Sequence, residues 1–384
     1  MKKIYFDYAS TTPVDPKVFL EMKPFFSKKF GNTMSLHYFG QEAKVFLEKS
    51  REKMAKAINA DTEEIIFTGS ATESNNMVLK GLSFFKKGGH IIISSIEHPC
   101  IVESAAWLEK RGFKVTRLKV DRYGTVDLKE LEKSIEEETF LVSIIHGSNE
   151  IGTIQPIDKI GAICRKKNVY FHTDASQTFS KIPIDVEKIK IDLLTASSHK
   201  IYGPKGAAFL YKRKGVKLEP LIHGGGQENG LRSSTLDIPS IVGFAKAVDI
   251  SIATMKKEEN RIINLREKLI KGVLKIKGTR LNGHPKNRLA NNANFSFSFI
   301  EGESIAIQLD LKGIAVSTGS ACSSTKLEPS HVLLAIGLRH EDAHGSLRVT
   351  LGRWTKEKEV DYFLKILPGI IKQLRKISPF YEKK

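Results

Sequence analysis

The most constraining feature of this sequence is a regular alternation of strand-like and helix-like segments between residues 41 and 211. The strand-like segments are short and apolar, whereas the segments between them carry apolar residues at helical spacing. Strands alternating with helices of this length predict an α/β fold, a mostly parallel central sheet with helices on both faces. The predicted strands are 64–68, 90–94, 113–118, 140–145, 169–173, 191–196 and 207–211, and the predicted helices are 41–60, 99–111, 128–136 and 155–167.

Polar residues follow several of these strands at the point where each strand ends. In open parallel sheets, ligands bind beyond the carboxyl ends of the strands, so we expect these side chains at one edge. The stretch 69–75 follows a strand and opens a helix, as in a backbone anion cradle, although Thr72 could equally be a plain N-cap. The residues predicted to converge are Thr72, His98, Asn149, Asp174, Gln177 and Lys200.

Two of these residues predict a particular chemistry. Lys200 lies at the end of a buried strand, where poor solvation favours the neutral amine. A neutral amine attacks an aldehyde to form a Schiff base, and a strand-end carboxylate such as Asp174 keeps a pyridine nitrogen protonated. Together they predict pyridoxal phosphate chemistry. The alternative is that Lys200 is simply one of the many exposed lysines of the chain.

A second domain is predicted towards the C-terminus. A helical stretch from Ile238 to about Ile276 leads to strands near 294–299 and 347–351 and to helices near 303–311, 330–336 and 356–377. Cys322 lies there in a run of Gly, Ser and Ala, which predicts an exposed thiol, either a nucleophile or a tolerated surface residue. The predicted division is a large cofactor-binding α/β domain at 13–255 and a smaller α+β domain built from 1–12 and 256–384.

Charge and cysteine content narrow the possible partners. The net charge of +18 suggests nucleic acid or an acidic partner, but the lysines are spread along the chain and no nucleic-acid-binding motif is present. Three cysteines without zinc-site spacing predict a reducing compartment and no metal site, with Cys100 and Cys164 as core residues. No signal peptide and no apolar run of spanning length is apparent, so we expect a cytoplasmic protein without membrane contact.

The motifs resemble, essentially from end to end, those of the pyridoxal-phosphate-dependent cysteine desulfurases of the NifS/IscS type, in the class V aminotransferase family. This resemblance implies fold type I, with a smaller α+β domain, and a homodimer with active sites at the subunit interface. The matching stretches are 7–8, 11–13, 71–73, 97–98, 149–152, 174–177, 199–206, 224–228, 320–322 and 351–353.

The resemblance also implies roles for individual residues. Lys200 would carry the cofactor covalently, Asp174 would pair with its pyridinium nitrogen, and His98 would stack on the ring and transfer protons. The remaining cofactor contacts would come from Ala71, Thr72, Asn149, Gln177, Ser197, His199 and, in the neighbouring subunit's site, Thr235. The substrate contacts would come from Asn149, Arg348 and, less directly, Asn32.

The implied reaction converts L-cysteine to L-alanine and leaves a persulfide on Cys322 for an iron–sulfur scaffold protein or another acceptor. Cys322 is also considered as a ligand of an iron–sulfur cluster. Ser198 and Ser234 stand where the family commonly has Gly, which predicts a loss of positive-φ freedom at both positions. The alternatives left open are a selenocysteine lyase, another fold type I enzyme, and an interaction protein with a degenerate site.

Overall fold

The structure is a computed structural model, and it describes residues 3–318, 329–379 and 381. Its strands are β1 (Ile4–Tyr5), β2 (Ile65–Thr68), β3 (His90–Ser94), β4 (Lys114–Leu118), β5 (Thr139–Ser143), β6 (Tyr170–Asp174), β7 (Leu193–Ser197), β8 (Ala208–Lys212), β9 (Thr279–Asn282), β10 (Asn292–Phe297), β11 (Ile314–Ala315) and β12 (Ser346–Thr350).

The helices surround these strands in chain order. They are α1 (Pro16–Met22), α2 (Tyr38–Ile58), α3 (Ala71–Ser83), α4 (Pro99–Glu109), α5 (Leu128–Ser134), α6 (Ile157–Lys166), α7 (Val186–Ile189), α8 (Ile238–Val273), α9 (Gly302–Asp310), α10 (His331–Ala335), α11 (His340–His344) and α12 (Glu357–Ile377).

The central sheet has the strand order β2-β8-β7-β6-β5-β3-β4. Strands β3 to β7 pair in parallel, and β8 runs antiparallel to both of its neighbours, β2 and β7. The predicted α/β fold with a mostly parallel sheet is therefore confirmed. The carboxyl ends of the parallel strands lie at one edge, where the predicted polar residues follow them.

Alternation within the strands explains why both faces of this sheet are covered. On β3, Ile92 belongs to one apolar core, whereas Ile91 and Ile93 belong to a second core with residues of α3 and α4. Because successive strand residues point to opposite faces, an all-apolar strand must be buried on both sides. All five residues of β3 are buried.

A separate antiparallel sheet, with the order β12-β10-β9, has its own apolar core. Strand β9 was not predicted, since Thr279–Asn282 contains one apolar residue and shows no alternation. The long helix α8 contributes Phe244 and Val248 to the core of the first sheet and Ile262 and Leu269 to that of the second. The exact domain boundaries stay a prediction.

Helix α8 also corrects one expectation from the sequence. It contains an 18-residue stretch of mean hydropathy 1.4, so by length and composition it could cross a membrane. In the structure, 56% of that stretch is buried inside the protein. A helix in the core of a protein can be as long and as apolar as a membrane-spanning helix. The burial of α8 favours a core helix.

Candidate active site

The candidate site lies at the carboxyl edge of the parallel strands. Asp174 ends β6 and is buried, and its Oδ1 accepts a hydrogen bond from the backbone N–H of Ser176 at 2.9 Å. Its Oδ2 accepts from Asn75 Nδ2 at 2.8 Å. Asn75 was not predicted as a site residue, although it lies about one helical turn beyond Thr72 on α3, which brings the two side chains to the same face.

Lys200 ends a short 3-10 turn, Ser198–Lys200, that directly follows β7. Its Nζ donates to the backbone carbonyl of Ala9 at 2.8 Å and to that of Ser10 at 2.6 Å. Gln177 Nε2 donates to the same carbonyl of Ala9 at 2.9 Å. The N-terminal segment 7–12 therefore crosses the site and joins residues that follow two different strands.

His98 is the N-cap of α4, and its neighbour Cys100 corrects a prediction. Cys100 was expected in the core, but it is only partly buried, and its Sγ lies 3.0 Å from His98 Nδ1 and 3.2 Å from Asn75 Nδ2. Burial lowers the pKa of His98, so the imidazole is neutral near pH 7. Cys164, in contrast, is fully buried in a core.

The N-terminus of α3 follows β2 directly, in the strand–turn–helix order expected for an anion cradle. The N-cap is Ser70, whose Oγ accepts from the Glu73 N–H at 3.1 Å, so Thr72 is not the cap. Thr72 lies exposed in the first turn, Ser197 ends β7, and His199 lies in the turn that follows it. Burial, and then Lys200, lower the pKa of His199 to about 3, so this ring is a neutral hydrogen-bonding group rather than a cation.

Arg348 approaches from the second sheet, in the middle of β12. One terminal nitrogen donates to Asp7 Oδ1 at 2.9 Å and to Ser10 Oγ at 2.7 Å. The other donates to the Asn149 carbonyl at 3.2 Å, and Nε is buried without a partner in the described part of the chain. Asp7 and Ser10 are site residues that the sequence reasoning missed.

Two predicted residues make no hydrogen bond to this cluster, and a third lies outside the described residues. Asn32 and Thr235 are exposed, and within the described ranges no hydrogen bond joins their side chains to the buried groups. Cys322 lies outside the described residues. Among those that are described, no group of three or more His, Cys, Asp or Glu side chains could hold a metal ion.

The two Gly-to-Ser positions behave differently from each other. Ser198 does not have a positive φ, so the expected strain is absent there, whereas Ser234 has φ 145°. Ser198 is fully buried, and its Oγ lies against Gly203, where a Cβ would come within 2.1 Å of it. The Ser198 side chain therefore occupies space that only a glycine at 203 leaves open.

The residues at this edge fit a polar cofactor. Buried polar groups normally have hydrogen-bond partners, so a cluster of unpartnered ones marks a place where a ligand or water completes the bonding. The unpartnered buried atoms at this edge, within the described chain, are Asn75 Oδ1, Ser176 Oγ, Gln177 Oε1 and Ser198 Oγ. Together with Lys200, Asp174 and the α3 N-terminus, they suit a phosphorylated pyridine aldehyde.

Comparison with known proteins agrees with this geometry. The sequence model of the class V aminotransferases matches residues 4–363. The chain belongs to this family. It is 51% identical to cysteine desulfurase IscS of Dictyoglomus turgidum, over 99% of this chain and 97% of the relative. It is also 49% identical to the mitochondrial cysteine desulfurase of Saccharomyces cerevisiae, over 99% of this chain and 77% of the relative.

Solved structures extend the agreement to the fold. A NifS-like protein superimposes with a TM-score of 0.91 at 42% identity, covering 97% of this chain and all of that one. The structure of SspA in complex with cysteine gives a TM-score of 0.81 at 38% identity, over 91% of this chain and 98% of that one. Within the class V family, the chain is a pyridoxal-phosphate-dependent enzyme of the cysteine desulfurase group.

Proposed function

We propose that this protein takes the sulfur atom from L-cysteine, releases L-alanine, and carries the sulfur as a persulfide on Cys322. The observation that carries the proposal is the meeting of Lys200, Asp174 and His98 at one sheet edge with Arg348 of the second sheet. The N-terminal segment contacts both Lys200 and Arg348, which brings the two sets of residues to one site.

Pyridoxal phosphate supplies an aldehyde and a ring that withdraws electrons from the substrate's α-carbon. We propose that Lys200 holds it covalently, that Asp174 faces its ring nitrogen, and that Gln177 Oε1 is available to its hydroxyl. The α3 N-terminus supplies backbone N–H groups and a positive dipole end for the phosphate, with Thr72, Ser197 and His199 around it.

The chain's own residues handle the substrate and its proton. Arg348 has a buried Nε and terminal N–H groups that can pair with the α-carboxylate of cysteine, beside Asn149. The Lys200 amine, which the two carbonyls of segment 7–12 hold in place, is the base that removes the α-proton. His98 is neutral, so it can both accept and donate a proton near pH 7.

The sulfur step falls to Cys322. Its thiolate attacks the substrate's sulfur, an S–S bond forms, and the C–S bond breaks with its electron pair left on the carbon skeleton, which leaves as alanine after protonation. Described residues on both sides of the segment 319–328 contact the site. Ser317 pairs with Arg348 as an antiparallel β-bridge, and Ser330 Oγ donates to Glu150 Oε2 at 2.5 Å.

We also propose a homodimer. A large exposed apolar surface on a folded chain marks an interaction site, and one region of this chain concentrates such residues. Leu36, for example, is 92% exposed. The exposed apolar residues of this region are Phe19, Leu20, Phe26, Phe30, Met34, Leu36, Tyr38, Phe39 and Val45. Because the region includes Asn32, a partner bound there would bury a predicted substrate contact.

Sedimentation tests the dimer. The double variant Phe30→Glu/Leu36→Glu places two charges in this surface and is expected to sediment as a monomer. The matched control Ile307→Glu/Leu311→Glu changes two apolar residues that are equally exposed elsewhere. A wild type that sediments as a monomer, or a control that dissociates as readily, contradicts the proposed interface.

The acceptor is proposed to be an iron–sulfur scaffold protein or another thiol acceptor, and the compartment to be the cytoplasm. The relatives named IscS favour the first of these proposals. The free thiols of Cys100 and Cys164 favour a reducing compartment. Pull-down with a candidate scaffold, followed by transfer of labelled sulfur, tests the acceptor.

The deciding experiment measures alanine and sulfide released from L-cysteine by the cofactor-saturated protein with a reductant, with selenocysteine in parallel. Equal amounts of alanine and sulfide are expected. Cys322→Ala is expected to bind the cofactor and yet release no sulfide. Turnover of selenocysteine alone identifies a lyase instead, and full sulfide release by Cys322→Ala excludes that residue as the nucleophile.

A further inference from the structure

The Cys100 thiol lies inside the active site and is not assigned a part in the sulfur transfer. It follows His98 by two residues, in the first turn of α4. The Nδ1 atom of His98 lies 3.2 Å from the backbone nitrogen of Cys100 and 3.0 Å from Cys100 Sγ. The same ring nitrogen therefore faces two groups of one residue.

The backbone contact favours one position for the ring's proton. An amide N–H can only donate, so His98 Nδ1 must accept and carries no proton. The proton of the neutral imidazole is then on Nε2. Since Nδ1 has no hydrogen to offer, the short contact with Sγ requires the thiol to donate its own proton towards Nδ1.

A second contact fixes the thiol from the other side. Asn75 Nδ2 donates to Cys100 Sγ at 3.2 Å and to Asp174 Oδ2 at 2.8 Å. An amide NH₂ group has two hydrogens, one for each of these acceptors. A continuous series of hydrogen bonds thus runs from Asp174 through Asn75 and Cys100 to His98.

The charge states agree with this assignment. Burial raises the pKa of the Cys100 thiol to about 12, so it is protonated near neutrality and is a poor nucleophile. Burial lowers the pKa of His98, while Asp174 acts to raise it and Lys200 and His331 act to lower it further. A protonated thiol beside a neutral imidazole is the pairing in which a donated S–H bond forms.

We propose that Cys100 is a positioning residue of the active site: its thiol acts together with its backbone N–H to hold His98 in the tautomer protonated at Nε2, and it links His98, through Asn75, to Asp174. This deepens the proposed function, on which it rests for the part that His98 plays in proton transfer. It also gives Cys100 and Cys322 different roles, with Cys322 carrying sulfur and Cys100 carrying none.

The experiment records ¹⁵N spectra of histidine-labelled full-length protein, with and without the cofactor, and assigns His98 by its loss in His98→Gln. The wild type is expected to show an unprotonated Nδ1 and a protonated Nε2. Cys100→Ala removes the thiol donor and leaves only the backbone N–H on Nδ1. It is therefore expected to show a larger fraction of the tautomer protonated at Nδ1 and a higher titration midpoint. Cys100→Ser has nearly the same side-chain volume as the alanine variant but keeps a donor, so it is expected to restore the wild-type pattern.

Two outcomes overturn the proposal. One is a wild type with the proton on Nδ1, and the other is an alanine variant with the same tautomer and midpoint as the serine variant. Cys164→Ala is the control for losing a buried thiol, and it is expected to leave the His98 signals in place because Cys164 lies in a core away from the ring.

A kinetic measurement adds a second readout. One hydrogen bond of this kind changes rates by about threefold to tenfold, so kcat/KM of Cys100→Ala is expected to fall by that factor and to recover with serine. Because the spectra can be recorded without turnover, the two proposals fail separately. An inactive protein with the expected tautomer overturns the desulfurase reaction only, and an active protein with the other tautomer overturns the role of Cys100 only.

Discussion

The two sheets of this protein contribute to its site in different ways. The seven-stranded sheet supplies Asp174, Gln177 and Lys200 after the carboxyl ends of parallel strands, where buried hydrogen bonds hold them. The three-stranded antiparallel sheet supplies Arg348 from within a strand, next to an end of the segment that contains Cys322. In the proposed function, the first sheet therefore carries the residues for the cofactor, and the second those for the substrate and its sulfur.

The N-terminal segment 7–12 joins the residues of the two sheets into one site. Asp7 and Ser10 bind Arg348 through their side chains, the Ala9 carbonyl binds Lys200 and Gln177, and Thr11 Oγ1 lies 3.0 Å from His199 Nδ1. The difference between the sheets therefore predicts that substitutions on each side will have different kinetic effects, even though the residues share these contacts.

Lys200→Ala is expected to have the largest effect. It removes both the covalent attachment of the cofactor and the amine that takes the substrate's proton, so alanine release should fall to the assay background. The measurement is alanine formation together with the absorbance of the cofactor. The matched control is Lys205→Ala, an exposed lysine on the following turn. Near-normal alanine release by Lys200→Ala would show that Lys200, and with it the first sheet, does not take part in the reaction as proposed.

Arg348→Ala tests the other side of the comparison. Loss of a buried charge-assisted pair with the substrate's carboxylate is expected to lower kcat/KM by about a hundredfold, mostly through KM, and to leave cofactor binding intact. Arg348→Lys should recover part of the loss, and Arg280→Ala, an exposed arginine on β9, is the control. If cofactor affinity falls instead, the separation of tasks between the sheets is wrong.

Acid is expected to lower the free energy of unfolding of the region around the first sheet. Burial lowers the pKa of His146 and His172 to about 4, and the pKa of His199 to about 3, below the value of about 6.5 in an unfolded chain. The unfolded state then binds more protons, so stability is present above pH 6.5 and is lost as the pH falls towards 4.

Urea unfolding at several pH values measures this effect. Each of these histidines contributes a slope of up to about 1.4 kcal/mol per pH unit between about pH 6 and 4, so His146→Gln is expected to reduce the slope by up to that amount. When Trp354 is replaced by Phe, the fluorescence of Trp107, on α4, reports the unfolding of the region around the first sheet. An unchanged slope in His146→Gln would show that this ring is not buried in its neutral form.

Ser330→Ala is expected to have the smallest effect. It removes the hydrogen bond from Ser330 to the buried Glu150, two residues beyond the segment 319–328, and a loss of about threefold to tenfold in sulfide release is expected. The cofactor's absorbance should not change. Ser304→Ala, a half-buried serine on α9, is the control. A change in cofactor binding would mean that this end of the segment also supports the first sheet.

Much of this arrangement could be predicted from the sequence. The alternation of apolar strands and helices determined the α/β fold, because strands with consecutive apolar residues, such as Ile91–Ile93 of β3, must be covered on both faces. The polar residues that follow the strands could be placed at one edge because the carboxyl ends of parallel strands lie at the same edge of a sheet. Strand β9 could not be predicted, since its pairing with β10 and not its own composition makes it a strand.

Contacts between residues distant in the chain were decided by the tertiary structure alone. Asp7 meets Arg348 across 341 positions and Asn75 meets Asp174 across 99, and no local pattern encodes such distances. The same holds for Cys100, which helical periodicity assigned to the core. Helical periodicity identifies which side of the helix a residue is on. Only the packed fold shows that, in the first turn of α4, this side faces His98 and Asn75 at the carboxyl edge of the sheet.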